Sequence, residues 1–360
     1  MSLHTKFRRP DPGSDPLFLS GGFMFVLGLD VGKSELYARL LQIPEPGKFV
    51  PLGTGKSVSN TAKGHEQLLA WLRKSGAGGE GTSVVMESTS VYWERVAMTL
   101  YEAGCRISVV NAAQIKFFAK STLRRGKTDK LDADLIGRFG AVMHPARWMP
   151  PEADLVELRA LLHARDNIVE LSTVEAGRHH AMDHRYQPSS KALGFCEARQ
   201  ALLAQQLVEV NDKVNALVLT SVRLQTDVTL LRSIPGIGSL TAALLLVETM
   251  HLSEMESSNQ WAAYAGLSPV PRQSGNFTGR THISKIGNAR LRRAFYLCAL
   301  TASRMKNGFG NFYRHLTSQG KPKKVALIAL ARKLLRVAFA VLKSGQKFNP
   351  DYRRPSPMAA

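Results

Sequence analysis

Residues 23–31, FMFVLGLDV, form an apolar run interrupted by a single carboxylate, Asp30. An acid is tolerated in such a run only where the chain reaches water, so the pattern predicts a buried strand with Asp30 near its end. Residues 35–41 (ELYARLL) suit a second strand and Phe49–Leu52 a third. Ser83–Met86 is a short apolar strand ended by Glu87, and Ile107–Val110 is another. Helical spacing marks Thr61 to Lys74, Trp93 to Glu102 (stopped by Gly104) and Asp129 to Val142. The order β-β-β-α-β-α-β-α predicts a mixed α/β domain over residues 22–148.

The pattern changes after residue 149. Leu155, Leu158, Leu161 and Leu162 open one long helix. Leu202, Leu203, Leu207, Val210 and Val214 belong to a second, which Leu217 and Leu224 continue. Pro188, Ser189 and Ser190 mark the turn between them. Residues 149–232 therefore read as an antiparallel helical hairpin or coiled coil. Residues 233–350 read as mostly helical. Residues 1–21 read as a disordered leader, with Met24 as a candidate start, and 351–360 as a tail.

Charge divides the chain in the same way. Residues 1–150 carry +7, residues 151–232 carry −2 and residues 233–360 carry +15, out of a total of +20. That asymmetry points to a polyanion, most often nucleic acid. The near-neutral middle suits contact between protein chains. Three widely spaced cysteines exclude a zinc ribbon or a disulfide framework and fit a reducing cytosol. The apolar run Val325–Ala331 is far too short to span a bilayer, so no membrane partner is expected.

Four acids carry the chemistry. Asp30 and Glu87 end strands, where side chains project into the crevice that open α/β sheets use for ligands. Asp129 and Asp132, in Lys127-Thr-Asp-Lys-Leu-Asp132, are three apart and share a helix face. Asp134 lies further round and is a poorer candidate. Converging carboxylates need cations between them, and hard Mg²⁺ or Mn²⁺ takes oxygen ligands. An acid after a strand is ordinarily a turn residue; four of them in this strand order give the layout of ribonuclease-H-like nucleases. Arg124, Arg125 and Lys127 abut the acids and suit a phosphate backbone. His179, His180 and His184 lack companion ligands and read as surface residues.

The basic region opens with Ser233-Ile-Pro-Gly-Ile-Gly238, similar to the hairpin of helix-hairpin-helix modules, whose glycines let the backbone approach phosphate. Further on, Gly266-Leu-Ser-Pro-Val-Pro-Arg-Gln-Ser-Gly275 holds Ser274 in a flexible polar stretch near Arg272, Arg280 and Lys285. A serine attacking phosphorus needs such cations. By composition Thr278, Thr281 and Ser284 serve equally well. Lys324 to Lys343 reads as an amphipathic helix with a basic face.

Taken in order, these motifs resemble the DEDD-type transposases of the insertion sequence one-ten family and the related Piv DNA invertases. The resemblance spans about residues 24–350. Gly28-Leu-Asp-Val-Gly-Lys33, Met86-Glu-Ser-Thr89 and Lys127-Thr-Asp-Lys-Leu-Asp-Ala133 resemble the family's RuvC-like domain. Ser233–Gly238, Ala265-Gly-Leu-Ser-Pro269, Ser284-Lys-Ile-Gly-Asn288 and Leu291-Arg-Arg293 resemble its C-terminal transposase domain. The resemblance implies a metal-binding tetrad at Asp30, Glu87, Asp129 and Asp132, and a nucleophile at Ser274; Asn276 and Phe277 stand where some members have further serines. It also implies donor and target DNA, a non-coding bridge RNA as guide, and a homo-oligomer, dimer or tetramer, assembled through the middle helices.

The expectation is a Mg²⁺-dependent DNA recombinase that moves its own element, in the bacterial cytoplasm at the nucleoid. Nucleic-acid contacts are expected from Arg124, Arg125, Lys127, Arg272, Arg280, Lys285, Arg290, Arg292 and Arg293. The absence of a GxxxxGK[ST] loop agrees with a reaction that uses no ATP. Two rivals are a RuvC-like nuclease or junction resolvase that activates water, and a non-catalytic nucleic-acid binding protein.

Overall fold

A computed structural model describes residues 24–45, 48–122, 129–249, 257–274 and 277–351. It divides into two compact units, Met1–Pro150 and Pro151–Ala360.

The first unit is built on one sheet. Strand β2 (Glu35–Glu45) pairs antiparallel with β1 (Met24–Val31) on one side and with β3 (Lys48–Pro51) and β4 (Lys56–Ser59) on the other. Strands β5 (Thr82–Glu87) and β6 (Arg106–Val110) continue the sheet parallel to β1, in the order β3-β2-β1-β5-β6. Helices α1 (Ala62–Lys74), α2 (Glu94–Glu102), α3 (Ala112–Ser121) and α4 (Asp129–Met143) complete the unit. The mixed sheet predicted from the sequence is present. Strand β4 and helix α3 were not foreseen, because KSVS and AAQIKFFAKS are too short and too polar to show a clear period.

The alternation of β1 sorts its side chains between two cores. Leu27, Leu29 and Val31 join Leu68, Leu72, Val96 and Leu100 on the face covered by α1 and α2. Val26 joins Val85, Leu135, Ile136 and Phe139 on the face covered by α4. Gly28 shares that second face and is where α4 comes closest. A methyl carbon built on Gly28 would lie 2.0 Å from the Ala133 carbonyl oxygen and 2.4 Å from the Gly137 amide nitrogen. One on Gly140 would lie 2.4 Å from a Val85 methyl. Small residues on α4 at 133, 137 and 140 thus let helix and sheet backbones touch.

The second unit opens with α5 (Ala153–Asp183) and α6 (Ser190–Thr220), folded back on each other as the sequence predicts. Cross-pairs fix the antiparallel register: Arg165 Nε donates to Asn211 Oδ1 at 2.9 Å, and Arg199 Nε to Glu175 Oε1 at 2.8 Å. Ser221 caps α7 (Val222–Arg232) and breaks the second helix where Leu217 and Leu224 had suggested continuity, since its side chain accepts from the Leu224 amide. Then come α8 (Ser239–Thr249), α9 (Ser258–Tyr264), strands β7 (Pro269–Ser274) and β8 (Phe277–Ile283), and α10 (Ala289–Ser303), α11 (Gly308–Ser318) and α12 (Lys323–Ser344). The antiparallel β7–β8 ribbon replaces the flexible stretch expected there. The base of the long hairpin shares a core with the basic helices: Leu158, Leu162 and Val214 pack with Leu231, Leu246, Phe295, Leu330 and Leu334. The same core takes in the buried face of α12, while Lys333 lies 4.3 Å from the Phe312 ring centroid.

Two predictions follow from the packing. Gly28→Ala is expected to cost about 1–3 kcal/mol in urea unfolding, because the added carbon meets backbone that cannot swing aside. Gly177→Ala, in the interior of α5 with nothing within 4 Å of the added carbon, is expected to stabilise by about 0.5–1 kcal/mol. Equal effects of the two would refute the close approach. Glu175 is 4% exposed, and hydrogen bonds from Arg199, then Cys196, hold its carboxyl down at about 2. A depressed carboxyl contributes stability above its unfolded value of 4.5, and that contribution is lost as pH falls toward 2. Urea midpoints measured from pH 5 to 2.5 are expected to fall less steeply in Glu175→Gln than in the parent protein.

Candidate catalytic acids and the serine ribbon

Strand parity brings two of the four acids together. Asp30 lies two residues beyond Gly28, and Glu87 two beyond Val85, so both face the α4 side of the sheet. In the parallel pairing of β1 with β5, Leu29 sits opposite Met86, which puts Asp30 and Glu87 at the same level at the ends of adjacent strands. Asp132 precedes Ala133, the residue whose carbonyl abuts Gly28. Asp30, Glu87 and Asp132 are all partly buried. Asp129 begins α4, one turn before Asp132; its side chain lies outside the described atoms. Asp134 is engaged elsewhere, accepting from Arg138 Nε at 2.8 Å. Arg124, Arg125 and Lys127 fall in 123–128, outside the described residues.

Among the described residues no three His, Cys, Asp or Glu side chains are gathered closely enough to hold a metal ion. The donor chemistry is nevertheless uniform: carboxylate oxygens alone, with no thiol or imidazole in the set. That composition fits a hard divalent cation of the Mg²⁺ or Mn²⁺ class and not zinc.

A brace that sequence reasoning missed ties the two acid-bearing strand ends together. Asn60 Nδ2 donates to the Gly32 carbonyl at 3.0 Å and to the Tyr92 carbonyl at 3.1 Å. Gly32 lies two residues past Asp30, and Tyr92 five past Glu87. His65 Nε2 contacts Asn60 Oδ1 at 2.9 Å; because the Asn60 amide nitrogen is already donating, the imidazole is the donor here. Asn60 stands before the cap residue Thr61, so in sequence it reads as ordinary helix punctuation.

In the second unit Ser274 is the last residue of β7, paired with Phe277 of β8. Arg272 and Arg280 are also on the ribbon, with only their backbone described. The ribbon's base is clasped by the two flanking motifs. The Ser284 amide donates to the Ser268 carbonyl at 3.0 Å, and the Asn288 amide to the Tyr264 carbonyl at 2.6 Å. Gly287 has φ +128°, and a methyl carbon there would lie 2.1 Å from the Tyr264 carbonyl oxygen. Asn288 caps α10 and donates to Glu248 Oε2 at 2.5 Å.

Arg290 differs from expectation. Its guanidinium bonds Asp166 at 2.8 Å and Glu248 at 2.5 Å, with His163 Nε2 at 2.6 Å, so it is an internal pin joining α5, α8 and α10. Arg292 is likewise turned inward, donating to the carbonyls of Ala265 and Lys285 at 3.1 Å. Lys285 and Arg293 are exposed. Ile234 and Ile237 of the Ser233–Gly238 turn are buried, so this turn is anchored in the core as it leads into α8.

Two family models match the chain. One, described as a transposase and named for the DEDD, IS110 type, matches residues 27–187. The other, described as the transposase IS116/IS110/IS902 family, matches residues 228–314. A pilin gene-inverting protein of Moraxella bovis is 29% identical over 90% of this chain and 97% of its own length. An insertion element IS110 protein of Streptomyces coelicolor is 35% identical over 32% of this chain and 28% of its own. A Thermus thermophilus RuvC structure covers 34% of this chain and 99% of that one, at 18% identity and a TM-score of 0.28.

The brace carries a pH signature. Burial, with Arg95 nearby, lowers the His65 pKa below 6.5. The unfolded chain therefore takes up its proton first, and stability is lost as pH falls below 6.5. An NMR titration is expected to place the His65 ring midpoint under 6.5. Asn60→Ala is expected to lower the urea midpoint at pH 7, since His65 then loses its partner. A midpoint at or above 6.5 would contradict the buried, neutral imidazole.

Proposed function

Because the chain belongs to the DEDD, IS110-type transposase family, we propose that it is a recombinase that excises and inserts its own insertion sequence by serine attack on DNA phosphates, guided by a bridge RNA. The observation that supports this reading is that Asp30 and Glu87 end adjacent parallel strands on the sheet face that α4 covers. The Moraxella bovis relative, named for inverting a pilin gene, supports rearrangement of DNA segments as the reaction class. Among the described residues no helix is long and apolar enough to cross a membrane.

Asp30, Glu87, Asp129 and Asp132 would hold the divalent cation, which when bound offsets their mutual repulsion and draws electron density from a phosphate. Ser274, the last residue of β7, would be the nucleophile. Its Oγ forms a bond to phosphorus while one strand oxygen departs as a hydroxyl, taking up a proton equivalent to the one the serine gives to solvent. The phosphoserine ester keeps the bond energy, so reversal of the step rejoins DNA without ATP. Arg272, Arg280, Lys285 and Arg293, with Arg124, Arg125 and Lys127, would hold backbone phosphates, and that binding weakens steeply with salt. Arg290 and Arg292 are left out of this set because their guanidinium groups are engaged internally. Exposed Leu171, Val174, Phe195, Leu202 and Val208 on the long hairpin support a homo-oligomer formed through α5 and α6.

The test is adduct trapping. End-labelled element-junction DNA, Mg²⁺ and RNA from the element's non-coding end are incubated with the protein and resolved on a denaturing gel. Labelled protein is expected for the parent chain and is expected to be absent from Ser274→Ala and Asp129→Asn. Cleaved DNA without adduct, unchanged in Ser274→Ala, would leave a water-activating nuclease. Binding without any cleavage would leave a non-catalytic nucleic-acid protein.

A further inference from the structure

Where the hairpin base meets α7 and α8, the second unit has a cavity of about 840 Å³. Its floor is apolar, with Val214, Val228 and Leu240 among the lining residues. Its polar lining includes Arg165, Arg232, Asn215 and Gln225, and no carboxylate lines it. Arg165 is oriented by Asn211, to which its Nε donates at 2.9 Å, and its Nη1 lies 3.8 Å from Asp166. Arg232, Asn215 and Gln225 are exposed at the rim, and among the described residues their side chains have no hydrogen-bond or ion-pair partner.

We propose that this cavity holds an unpaired nucleotide of a single-stranded nucleic acid, with the base on the apolar floor and its phosphate between Arg165 and Arg232. The volume lies within the range of small-molecule sites, about 300–1,000 Å³. Arg232, with no partner among the described residues, and Arg165, whose contact with Asp166 is long at 3.8 Å, suit a phosphate. The Asn215 and Gln225 amides each carry donor and acceptor atoms that can pair with a base edge, and apolar surface takes the base's face. A duplex keeps its bases stacked and cannot offer one to a concave site. The lining includes none of the four acids and not Ser274, and the proposal rests on the reading above only in taking nucleic acid as the partner.

The experiment uses the full chain with fluorescent 12-mers of uridine and of thymidine, a 20-base-pair duplex, and uridine monophosphate as competitor. Arg232→Gln removes an unpartnered, exposed side chain; Asn215→Trp fills the cavity from an exposed position. Thermal melts are expected to match the parent protein for both. Anisotropy is expected to show each variant binding single strands at least fivefold more weakly, with duplex binding within twofold of the parent. Photocrosslinking of 5-iodouridine strands is expected to label residues 211–240. Stronger binding of the uridine strand would place the 2′-hydroxyl in the site, and equal binding would place only base and phosphate there; either supports the assignment. Equal losses on single strands and duplex would reduce the cavity to a general phosphate contact and overturn it. So would unchanged binding in both variants, or displacement of the strands by micromolar uridine monophosphate. Ser274→Ala is expected to bind single strands like the parent, which separates this proposal from the catalytic one.

Discussion

The contact between β1 and α4 is the constraint on which the first unit depends. Ordinary helix-on-sheet packing keeps side chains between two backbones. Here Gly28 removes the side chain on one surface and Ala133, Gly137 and Gly140 minimise it on the other. The helix therefore lies against the strand backbone, and its first turn falls beside the end of β1. Asp30 and Glu87 face the same way because strand parity continues from Gly28 and Val85. A bulkier residue at 28 would lift α4 and carry Asp132 away from the strand ends. The acids are brought together by what is missing two residues earlier.

The second unit solves a similar positioning problem with polar groups. The β7–β8 ribbon has only one partner strand, and an isolated two-stranded ribbon is marginal in water. Its base is therefore fixed from outside. Gly266 and Gly287 adopt positive φ so that the chain can close on Ala263–Ala265. Glu248 holds both Asn288 and Arg290, and Arg290 reaches on to Asp166 of α5. Removing one member of so close a set leaves the others charged and partly buried, which costs more than the pair returns when intact. The ribbon's orientation is thus tied to the long hairpin as well as to its own helices.

Periodicity made the main elements legible. Strands β1, β2, β5 and β6 and helices α5 and α6 show runs long enough for their spacing to decide. The β7–β8 ribbon was hidden because PVPRQS and FTGRTHI contain two prolines, a glycine and few apolar residues. For the site, acids at strand ends were readable because a carboxylate closing an apolar run has few places to go. Asn60 was not, because a residue before Thr61 looks like a cap whatever else it binds. The ion pairs of Arg290 with Asp166 and Glu248 were not readable, because sequence gives charge without partner. Glu248 offered the missing signal: a lone acid in the apolar stretch LLLVET, surrounded by a strongly basic segment, is a counter-charge awaiting a cation.

That signal also bears on the charge of the whole molecule. Residues 233–360 hold 19 basic and only 4 acidic side chains. Of those acids, Glu248 is already committed to Arg290 and Asn288, so internal pairing neutralises little of the excess. Arg292, bonded to carbonyls, and Lys333, over an aromatic ring, keep their charge in place. A fold with this imbalance stores repulsion that salt screens and that a bound polyanion would relieve further.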